Sequence, residues 1–303
     1  MRIAITGSTG LVGTALVPFL REAGHDVIRL VRRVPRSGDE HRWAPAVGLP
    51  DTAMFGRLDA VVHLAGEGVA SARWTPAVKA RIRDSRVGPT AALARSLATV
   101  SARPRVLVSA SAIGYYGDRG TEDLTEDSPP GRGFLSETCQ AWEAAAAPAR
   151  EAGIRVVHPR FGVILDGRGG ALGKMRLPFS LGLGGRLGPG TQFYSWVGMT
   201  DVLRAVLLAL TRDDVAGPIN VTAPTPVTNA EFTRTLAHVL HRPAALPMPA
   251  GVLEALVGEM ARAELLSSKR VLPRALQQAG FTFTHPILED ALRAALGRAA
   301  STA

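Results

Sequence analysis

Three glycines near the start of the sequence constrain the fold of this chain more than any other feature. They are Gly7, Gly10 and Gly13, at G-x-x-G-x-x-G spacing in the segment TGSTGLVG. An apolar segment precedes the motif at residues 2–6, and apolar residues at helical spacing follow it over 11–23. A glycine turn between a strand and a helix lets the backbone approach a phosphate, which the helix N-terminus stabilises. The motif therefore predicts a dinucleotide-binding βα unit.

Each glycine of this turn has a predicted role. Gly7 permits positive φ, Gly10 leaves room for a pyrophosphate, and Gly13 allows the helix to pack closely on the strand. An ordinary tight turn is the alternative interpretation. We expect the loop and the first helical turn to contact the cofactor through Gly7, Thr9, Gly10, Leu11, Val12 and Gly13.

Strands and helices alternate along the first half of the sequence. The apolar patterns predict strands at 2–6, 26–30, 59–64, 105–109 and 154–158, and helices at 11–23, 76–98 and 136–152. Residues 35–57 are rich in Pro, Gly and charge, which predicts a connecting loop. The alternation predicts an α/β fold with a doubly wound parallel sheet of the NAD(P)-binding Rossmann type.

The pattern changes after residue 160. Gly and Leu crowd residues 162–190 with little periodicity, which predicts loop structure on the substrate side. Regular elements return as a helix at 200–211, a strand at 219–221, a helix opened by a capping box of Thr228 and Glu231, and a terminal helix at 285–298.

These patterns predict two domains. The Rossmann domain covers 1–165, and residues 196–225 return to it. A smaller, mainly helical domain on the substrate side covers 166–195 and 226–303.

Charge and cysteine content exclude several classes of protein. The net charge of +9 comes mainly from arginines scattered singly along the chain, and no basic run indicates nucleic-acid binding. The lone Cys139 excludes an intrachain disulfide and agrees with a reducing compartment. The histidines show no metal-site spacing, and no apolar run reaches membrane-spanning length. We therefore expect a cytoplasmic protein without a metal, nucleic-acid or membrane partner.

The end of the second strand indicates which dinucleotide binds. An NAD site usually has Asp or Glu there for the ribose 2′-hydroxyl, but this chain has Arg32 and Arg33. A guanidinium can bind a 2′-phosphate bidentately, whereas a carboxylate repels it. The sequence therefore predicts NADP(H) and assigns the phosphate contact to Arg32. A chance surface arginine is the alternative.

Several short segments carry a resemblance to a known family. They are TGSTGLVG, DAVVHLAGE, Arg73-Trp74, Asp84-Ser85-Arg86, VSASAIGYYGD, Trp142-Glu143, LGLGG at 181–185 and Ser195-Trp196. Together they resemble the atypical extended short-chain dehydrogenases/reductases called epimerase family proteins, over essentially the whole chain and including their C-terminal domain of unknown function. The resemblance implies NADP(H) binding.

The resemblance also implies cofactor contacts and an assembly. The further expected cofactor contacts are Leu64, Ala65, Gly66, Arg81 or its neighbourhood, Arg86 and Arg160. Relatives in the superfamily often dimerise through two helices of each subunit. Here these would be 76–98 and 136–152, so we expect a homodimer.

The superfamily's catalytic residues are only partly present. Ser111, just beyond the fourth strand, matches the serine that hydrogen-bonds the reacting carbonyl; a loop-capping serine is the alternative. The usual Tyr-x-x-x-Lys is absent, because Arg119, Gly120 and Gly198 stand four residues after the three tyrosines. Tyr115 beside Arg119 is the nearest substitute for the missing phenol and cation. Otherwise the proton comes from water, which suits an activated alkene, quinone or imine.

The resemblance also implies three residues that border a small-molecule substrate, because they fall where the superfamily builds its pocket. They are Lys174, Gln192 and Trp196; interdomain packing is the alternative for the tryptophan. The sequence thus predicts an NADP(H)-dependent oxidoreductase of unknown substrate. The alternatives are a non-catalytic NADP(H)-binding sensor or partner-binding protein and, third, a sugar-nucleotide epimerase.

Overall fold

The computed structural model describes residues 1–46 and 56–298. The strands are β1 Arg2–Thr6, β2 Asp26–Val31, β3 Glu40–Arg42, β4 Ala60–His63, β5 Val106–Ser109, β6 Ser111–Ala112, β7 Asp123–Leu124, β8 Arg155–Phe161, β9 Val163–Leu165, β10 Phe193–Tyr194, β11 Trp196–Gly198, β12 Gly217–Val221, β13 Val227–Thr228 and β14 Arg270–Val271. The helices are α1 Leu11–Glu22, α2 Pro76–Thr99, α3 Phe134–Ala144, α4 Ala147–Glu151, α5 Gly170–Ser180, α6 Met199–Thr211, α7 Asn229–Leu240, α8 Ala250–Val257, α9 Arg274–Gln278 and α10 Leu288–Ala295.

A parallel sheet forms the centre of the molecule. Its order is β3-β2-β1-β4-β5-β8-β12, and β6 pairs with the end of β8. The strand order reverses beside β1, so the crevice between the ends of β1 and β4 is the switch point at which doubly wound sheets bind ligands. The predicted α/β fold with a doubly wound parallel sheet is confirmed.

The sheet is buried on both faces, as its unbroken apolar strands require. In β1, Ile3 and Ile5 pack with α1 and α6 on one face, whereas Ala4 packs against Leu93 of α2 on the other. A third cluster, which includes Phe179 of α5, forms the core of the C-terminal part.

The C-terminal part is fastened to the loops that follow the sheet. β14 pairs with β7, and Ser195 Oγ donates to the Lys269 carbonyl at 2.8 Å. Val271 N in turn donates to Ser195 Oγ at 2.8 Å. The segment around Lys269 is thereby held above the carboxyl ends of the strands. The exact division into two domains stays a prediction.

Three local predictions were wrong. The predicted helix 136–152 is two helices, because Pro148 in the first turn of α4 cannot continue α3. The predicted loop at 162–190 contains β9 and α5, where burial of Leu172 and Phe179 overrides a glycine-rich sequence.

The third error is the loop predicted at 35–57, which contains the short edge strand β3. Its sequence, EHR, has no apolar alternation that could have revealed it. Residues 47–55 of that prediction lie outside the described residues. The capping residue Thr228 was predicted correctly, since its side chain accepts from Glu231 N at 3.2 Å.

Within residues 1–46 and 56–298, no helix is both long and apolar enough to cross a membrane.

Candidate functional site

The glycine turn lies where β1 passes into α1, and its shape depends on two of the three glycines. Gly7 has φ +69°, and a Cβ there would meet the Leu64 carbonyl carbon at 2.6 Å. A Cβ on Gly13 would lie 2.3 Å from the Gly7 carbonyl oxygen. A Cβ on Gly10 would meet only that same oxygen, at 3.3 Å, and Gly10 and Thr9 are exposed.

The start of α1 is suited to an anion. Its N-cap residue, Gly10, has no side chain to bind the first amides, so these donors remain available. The open side at Gly10 is a cradle that a Cβ would fill. The residues of the turn therefore fit a pyrophosphate.

The segment after β4 forms the facing wall of this crevice. Thr6 pairs with His63 in the sheet, so Gly7 and Leu64 leave it at the same edge. Arg86 of α2 donates to the Glu67 carbonyl at 2.8 Å, and Arg81 pairs with the Glu67 carboxylate at 3.4 Å. The predicted residues Leu64, Ala65, Gly66, Arg81 and Arg86 thus lie together, although Arg81 is exposed and Arg86 is already engaged.

The two arginines after β2 differ sharply in their surroundings. Arg33 binds the buried Glu40 carboxylate through two hydrogen bonds of 2.6 and 2.7 Å, and this guanidinium lowers the pKa of Glu40. Arg32 is exposed and has no hydrogen bond or ion pair with another residue in the described part of the chain. Because Leu30 pairs with Thr6, Arg32 follows the strand at the same edge as the glycine turn.

A row of buried, hydrogen-bonded polar side chains lies next to the crevice. Thr6 Oγ1 lies 2.7 Å from His63 Nδ1, and His63 Nε2 lies 2.9 Å from Thr90 Oγ1, which also accepts from Trp142 Nε1 at 3.0 Å. Complete burial lowers the pKa of His63 to about 4, so the imidazole is neutral at physiological pH. These hydrogen bonds between side chains hold α2 and α3 against β1 and β4.

Ser111 lies at the same sheet edge but is engaged by a carboxylate. Its hydroxyl donates to Glu143 Oε1 at 2.6 Å. Arg160 binds both oxygens of Glu143, at 2.8 and 2.9 Å, so Ser111, Glu143 and Arg160 form one hydrogen-bonded group. Sequence reasoning placed Arg160 among the cofactor contacts and gave Glu143 no role. The arginine side chain is only 3% exposed and is committed to Glu143 and Tyr116.

The tyrosines after β6 pack around this guanidinium. The Tyr115 ring lies 3.5 Å from the Arg160 guanidinium carbon, centroid to atom. Arg119, the predicted cation partner of Tyr115, instead pairs with Glu122 at 2.6 Å. The cation beside Tyr115 is therefore Arg160. Tyr116 is fully buried, which raises its pKa to about 12, and its hydroxyl donates to Asn220 and accepts from Arg160.

The place of the missing Tyr-x-x-x-Lys contains no substitute. Phe134 and Leu135 begin α3 where the tyrosine would stand, and Thr138 and Cys139 stand where the lysine would. Burial, with a smaller contribution from Glu143, raises the pKa of the Cys139 thiol to about 12, so it stays protonated.

A cleft lies between the sheet edge and the C-terminal part. A cavity of about 480 Å³ there is lined by Ile113, Val163, Lys174, Ser195 and Lys269, among others. The predicted substrate residue Lys174 lines it, and its ammonium donates to the Ala70 carbonyl at 2.7 Å.

The pocket prediction was wrong for Gln192 and Trp196. Trp196 is completely buried and donates to the Thr225 carbonyl, and Gln192 binds two carbonyls in the interior. Lys269, which sequence reasoning missed, lines the cavity. In the part of the chain that the structure describes, no group of three His, Cys, Asp or Glu side chains is placed to hold a metal ion.

A parallel sheet with a glycine turn at its switch point defines a Rossmann dinucleotide-binding protein. The chain belongs to the NAD dependent epimerase/dehydratase family, whose sequence profile matches residues 3–222. Residues 248–295 match a domain of unknown function (DUF1731). The family resemblance predicted from the sequence is confirmed.

The chain is similar to relatives along nearly its whole length. Epimerase family protein Mb2239 of Mycobacterium bovis is 44% identical over 290 residues, covering 96% of each chain. A crystal structure of human epimerase family protein SDR39U1 (isoform 2) with NADPH matches with TM-score 0.90 and 35% identity, covering 98% of this chain and 99% of that one. A nucleoside-diphosphate sugar epimerase of Corynebacterium glutamicum matches with TM-score 0.82 and 38% identity, covering 98% of this chain and 58% of that one.

Proposed function

We propose that this chain is an NADP(H)-dependent oxidoreductase of the atypical extended short-chain type that acts on a small molecule. The observation that carries the proposal is the contrast between Arg32 and Arg33. Glu40 neutralises Arg33, whereas Arg32 keeps its charge exposed at the edge where the glycine turn leaves the sheet. A 2′-phosphate at that edge would meet a free guanidinium and no carboxylate side chain from the end of β2.

The glycine turn and the segment after β4 are the proposed binding surface for the rest of the cofactor. The amides that start α1 bind the pyrophosphate, and the backbone from Leu64 to Gly66 forms the opposite wall. The structure of human SDR39U1 with NADPH, at 35% identity, supports this assignment. Arg160 is not included among the proposed contacts, because its guanidinium is committed to Glu143.

The proposed reaction is reduction of an activated acceptor such as an alkene, quinone or imine. NADPH supplies the hydride when it is bound. Ser111 is the proposed contact to the acceptor, because it lies at the sheet edge beside the cleft that Ile113 lines. Glu143 and Arg160 are positioning residues that hold the Ser111 side chain in place. The single hydroxyl proton, which Glu143 accepts in this structure, turns to the acceptor when the serine donates to it.

Tyr115 is the second proposed catalytic side chain, with its phenol ring on the Arg160 guanidinium instead of beside Arg119. Its role and that of water as proton source are separable. If Tyr115 donates the proton, Tyr115→Phe abolishes turnover and leaves NADPH affinity unchanged. If water donates it, the variant keeps most of the wild-type rate.

A non-catalytic role is the second candidate, and a specific observation favours it. The places of the usual tyrosine and lysine contain apolar side chains, a threonine and a buried, protonated thiol. A sugar-nucleotide epimerase, which the name of the Corynebacterium relative suggests, would need the phenol and ammonium that those places lack.

Two measurements on the full chain test the proposal. Titration with NADPH and NADH should show tighter binding of NADPH by about tenfold or more, equivalent to about 1.4 kcal/mol. Anaerobic NADPH oxidation should then proceed with at least one acceptor from a panel of activated alkenes, quinones and imines. Tight NADPH binding with no turnover on any acceptor would favour the non-catalytic alternative, and failure to bind NADPH would overturn both.

A further inference from the structure

The cleft beside Ser111 continues into a second cavity of about 530 Å³. We call the 480 Å³ cavity, which Val163, Ser195 and Lys269 line, the inner chamber, and the 530 Å³ cavity the outer chamber. The two chambers share six lining residues, Ala70, Ala171, Lys174, Met175, Met260 and Leu265. They therefore lie side by side along α5.

The inner chamber has a polar end made by the C-terminal part. Lys269 is 4% exposed, and its Nζ donates to the Ala263 carbonyl at 3.2 Å and to Glu264 Oε2 at 3.3 Å. An ammonium has three donors, so one remains. Both acceptors lie on a π-helical turn, Ala261–Leu265. This conformation is rare in proteins as a whole, but where it occurs it is often at a functional site.

Ser267 lines the same end, and its hydroxyl lacks a partner. The residue is 3% exposed, and its Oγ makes no hydrogen bond within the described residues. A buried hydroxyl without a partner is energetically unfavourable. Polar ligand atoms at this end of the inner chamber would satisfy this hydroxyl and the third donor of Lys269.

The charge in the inner chamber favours an anion. Its lining includes the ammonium groups of Lys174 and Lys269 and one carboxylate, Glu264, which pairs with Lys269. Because Glu264 compensates Lys269, the uncompensated charge is that of Lys174, whose ammonium donates to the Ala70 carbonyl. A negatively charged oxygen would gain a charge-assisted hydrogen bond there.

The outer chamber is apolar and opens through exposed leucines. Leu183, Leu246 and Leu256 line it although they are 58%, 55% and 62% exposed. Large apolar side chains held in solvent around a cavity mark a binding site for an apolar group. Apart from Lys174, which both chambers share, Arg73 is the charged residue in the lining of this chamber.

We propose that the cleft binds an amphipathic carboxylate, with its carboxylate on Lys269 and Ser267 and its apolar body in the outer chamber. The inference rests on the proposed function in that this molecule is the substrate class of the same site. Lys269 and Ser267 are then specificity-determining residues. The apolar body would enter past the exposed Leu183, Leu246 and Leu256.

Dodecanoate and 1-dodecanol test the proposal directly, as competitors for a dansylated undecanoic acid probe on the NADPH-loaded chain. We expect dodecanoate to compete at least about tenfold better than the alcohol. Lys269→Met, which keeps the length of the side chain, should reduce this preference to less than about threefold. The matched control is Lys79→Met, since that ammonium binds Glu259 and lines neither chamber; it should keep the preference.

Two further variants keep the proposal testable if Lys269→Met does not fold. Ser267→Ala removes a hydroxyl without a partner, so it should not lower the unfolding temperature, yet it should weaken dodecanoate binding. Ala171→Trp places an indole at an exposed position in the wall between the chambers and should weaken both competitors. Equal competition by acid and alcohol, or a preference that survives both Lys269→Met and Ser267→Ala, would overturn the proposal.

The same titrations separate this proposal from the proposed function. If NADPH binds but neither competitor displaces the probe, the amphipathic substrate is wrong and the cofactor assignment stands. If NADPH does not bind while the carboxylate preference persists in the free chain, the oxidoreductase function is wrong and the binding site stands.

Discussion

The Arg160 guanidinium binds the Glu143 carboxylate through two nearly equal hydrogen bonds, from Nε to Oε1 at 2.8 Å and from Nη2 to Oε2 at 2.9 Å. The side chains are 3% and 13% exposed, respectively. Burial alone would lower the pKa of Arg160, but the hydrogen bonds and charge of Glu143 raise it. The pair links α3 to β8 and holds the hydroxyl of Ser111.

Removing one partner of this pair should destabilise the protein strongly. Arg160→Met leaves the Glu143 carboxylate buried without its cation, so we expect a loss of about 3–5 kcal/mol in urea unfolding. Arg262→Met, which breaks an exposed pair with Glu254, should cost far less. The double variant Glu143→Gln with Arg160→Met should recover part of the loss. A loss equal to that of the Arg262 control would show that the buried pair contributes little.

Burial of His63 should make the protein less stable at acid pH. The pKa of this imidazole is about 4 in the folded chain and near 6.5 when unfolded, so the unfolded state binds more protons between these values. Stability should fall by about 3 kcal/mol as the pH drops from 6.5 to 4. Burial also lowers the pKa of His158, which adds in the same direction.

Comparison with His63→Gln isolates the contribution of His63. Glutamine retains a donor and an acceptor for Thr6 and Thr90 but does not titrate, so the variant should lose less stability over the same pH interval. The free energy of unfolding from urea titrations at several pH values measures this difference. Identical pH dependence in variant and wild type would exclude the assigned role.

The glycine turn separates a folding requirement from a binding requirement. Gly13→Ala would place a Cβ 2.3 Å from the Gly7 oxygen, and we expect a loss of about 1–3 kcal/mol in stability. Gly10→Ala meets that oxygen at 3.3 Å, so it should cost about 1 kcal/mol or less. It should nevertheless weaken NADPH binding by about tenfold or more, because the methyl group occupies the cradle. Wild-type affinity in Gly10→Ala would mean that the phosphates lie elsewhere.

Local patterns predicted the parts of the structure that local geometry determines. The strand, glycine turn and helix at the N-terminus were predictable because all three occur within 22 residues. The capping residue Thr228 was predictable for the same reason. The edge strand β3 and helix α5 were missed, because pairing with β2 and burial of apolar side chains form them despite weak intrinsic preference.

Residues that tertiary packing brings together could not be predicted from spacing. Glu143 meets Ser111 across 32 residues, and Lys269 reaches the cleft from the C-terminal part. A single carboxylate or lysine in a helical or polar segment gives no signal of its own. Trp196 shows the reverse error, since an aromatic residue beside a predicted pocket proved to be part of the core.

Reversing the charge of Arg32 tests the NADP(H) assignment most directly. Equilibrium titration of Arg32→Asp should show NADPH affinity reduced by about a hundredfold, equivalent to about 2.7 kcal/mol, with NADH affinity changed by less than about threefold. The matched control is Arg234→Asp on α7, an exposed arginine distant in sequence, which should leave both affinities unchanged. Equal losses for NADPH and NADH in Arg32→Asp would show that Arg32 does not bind the 2′-phosphate.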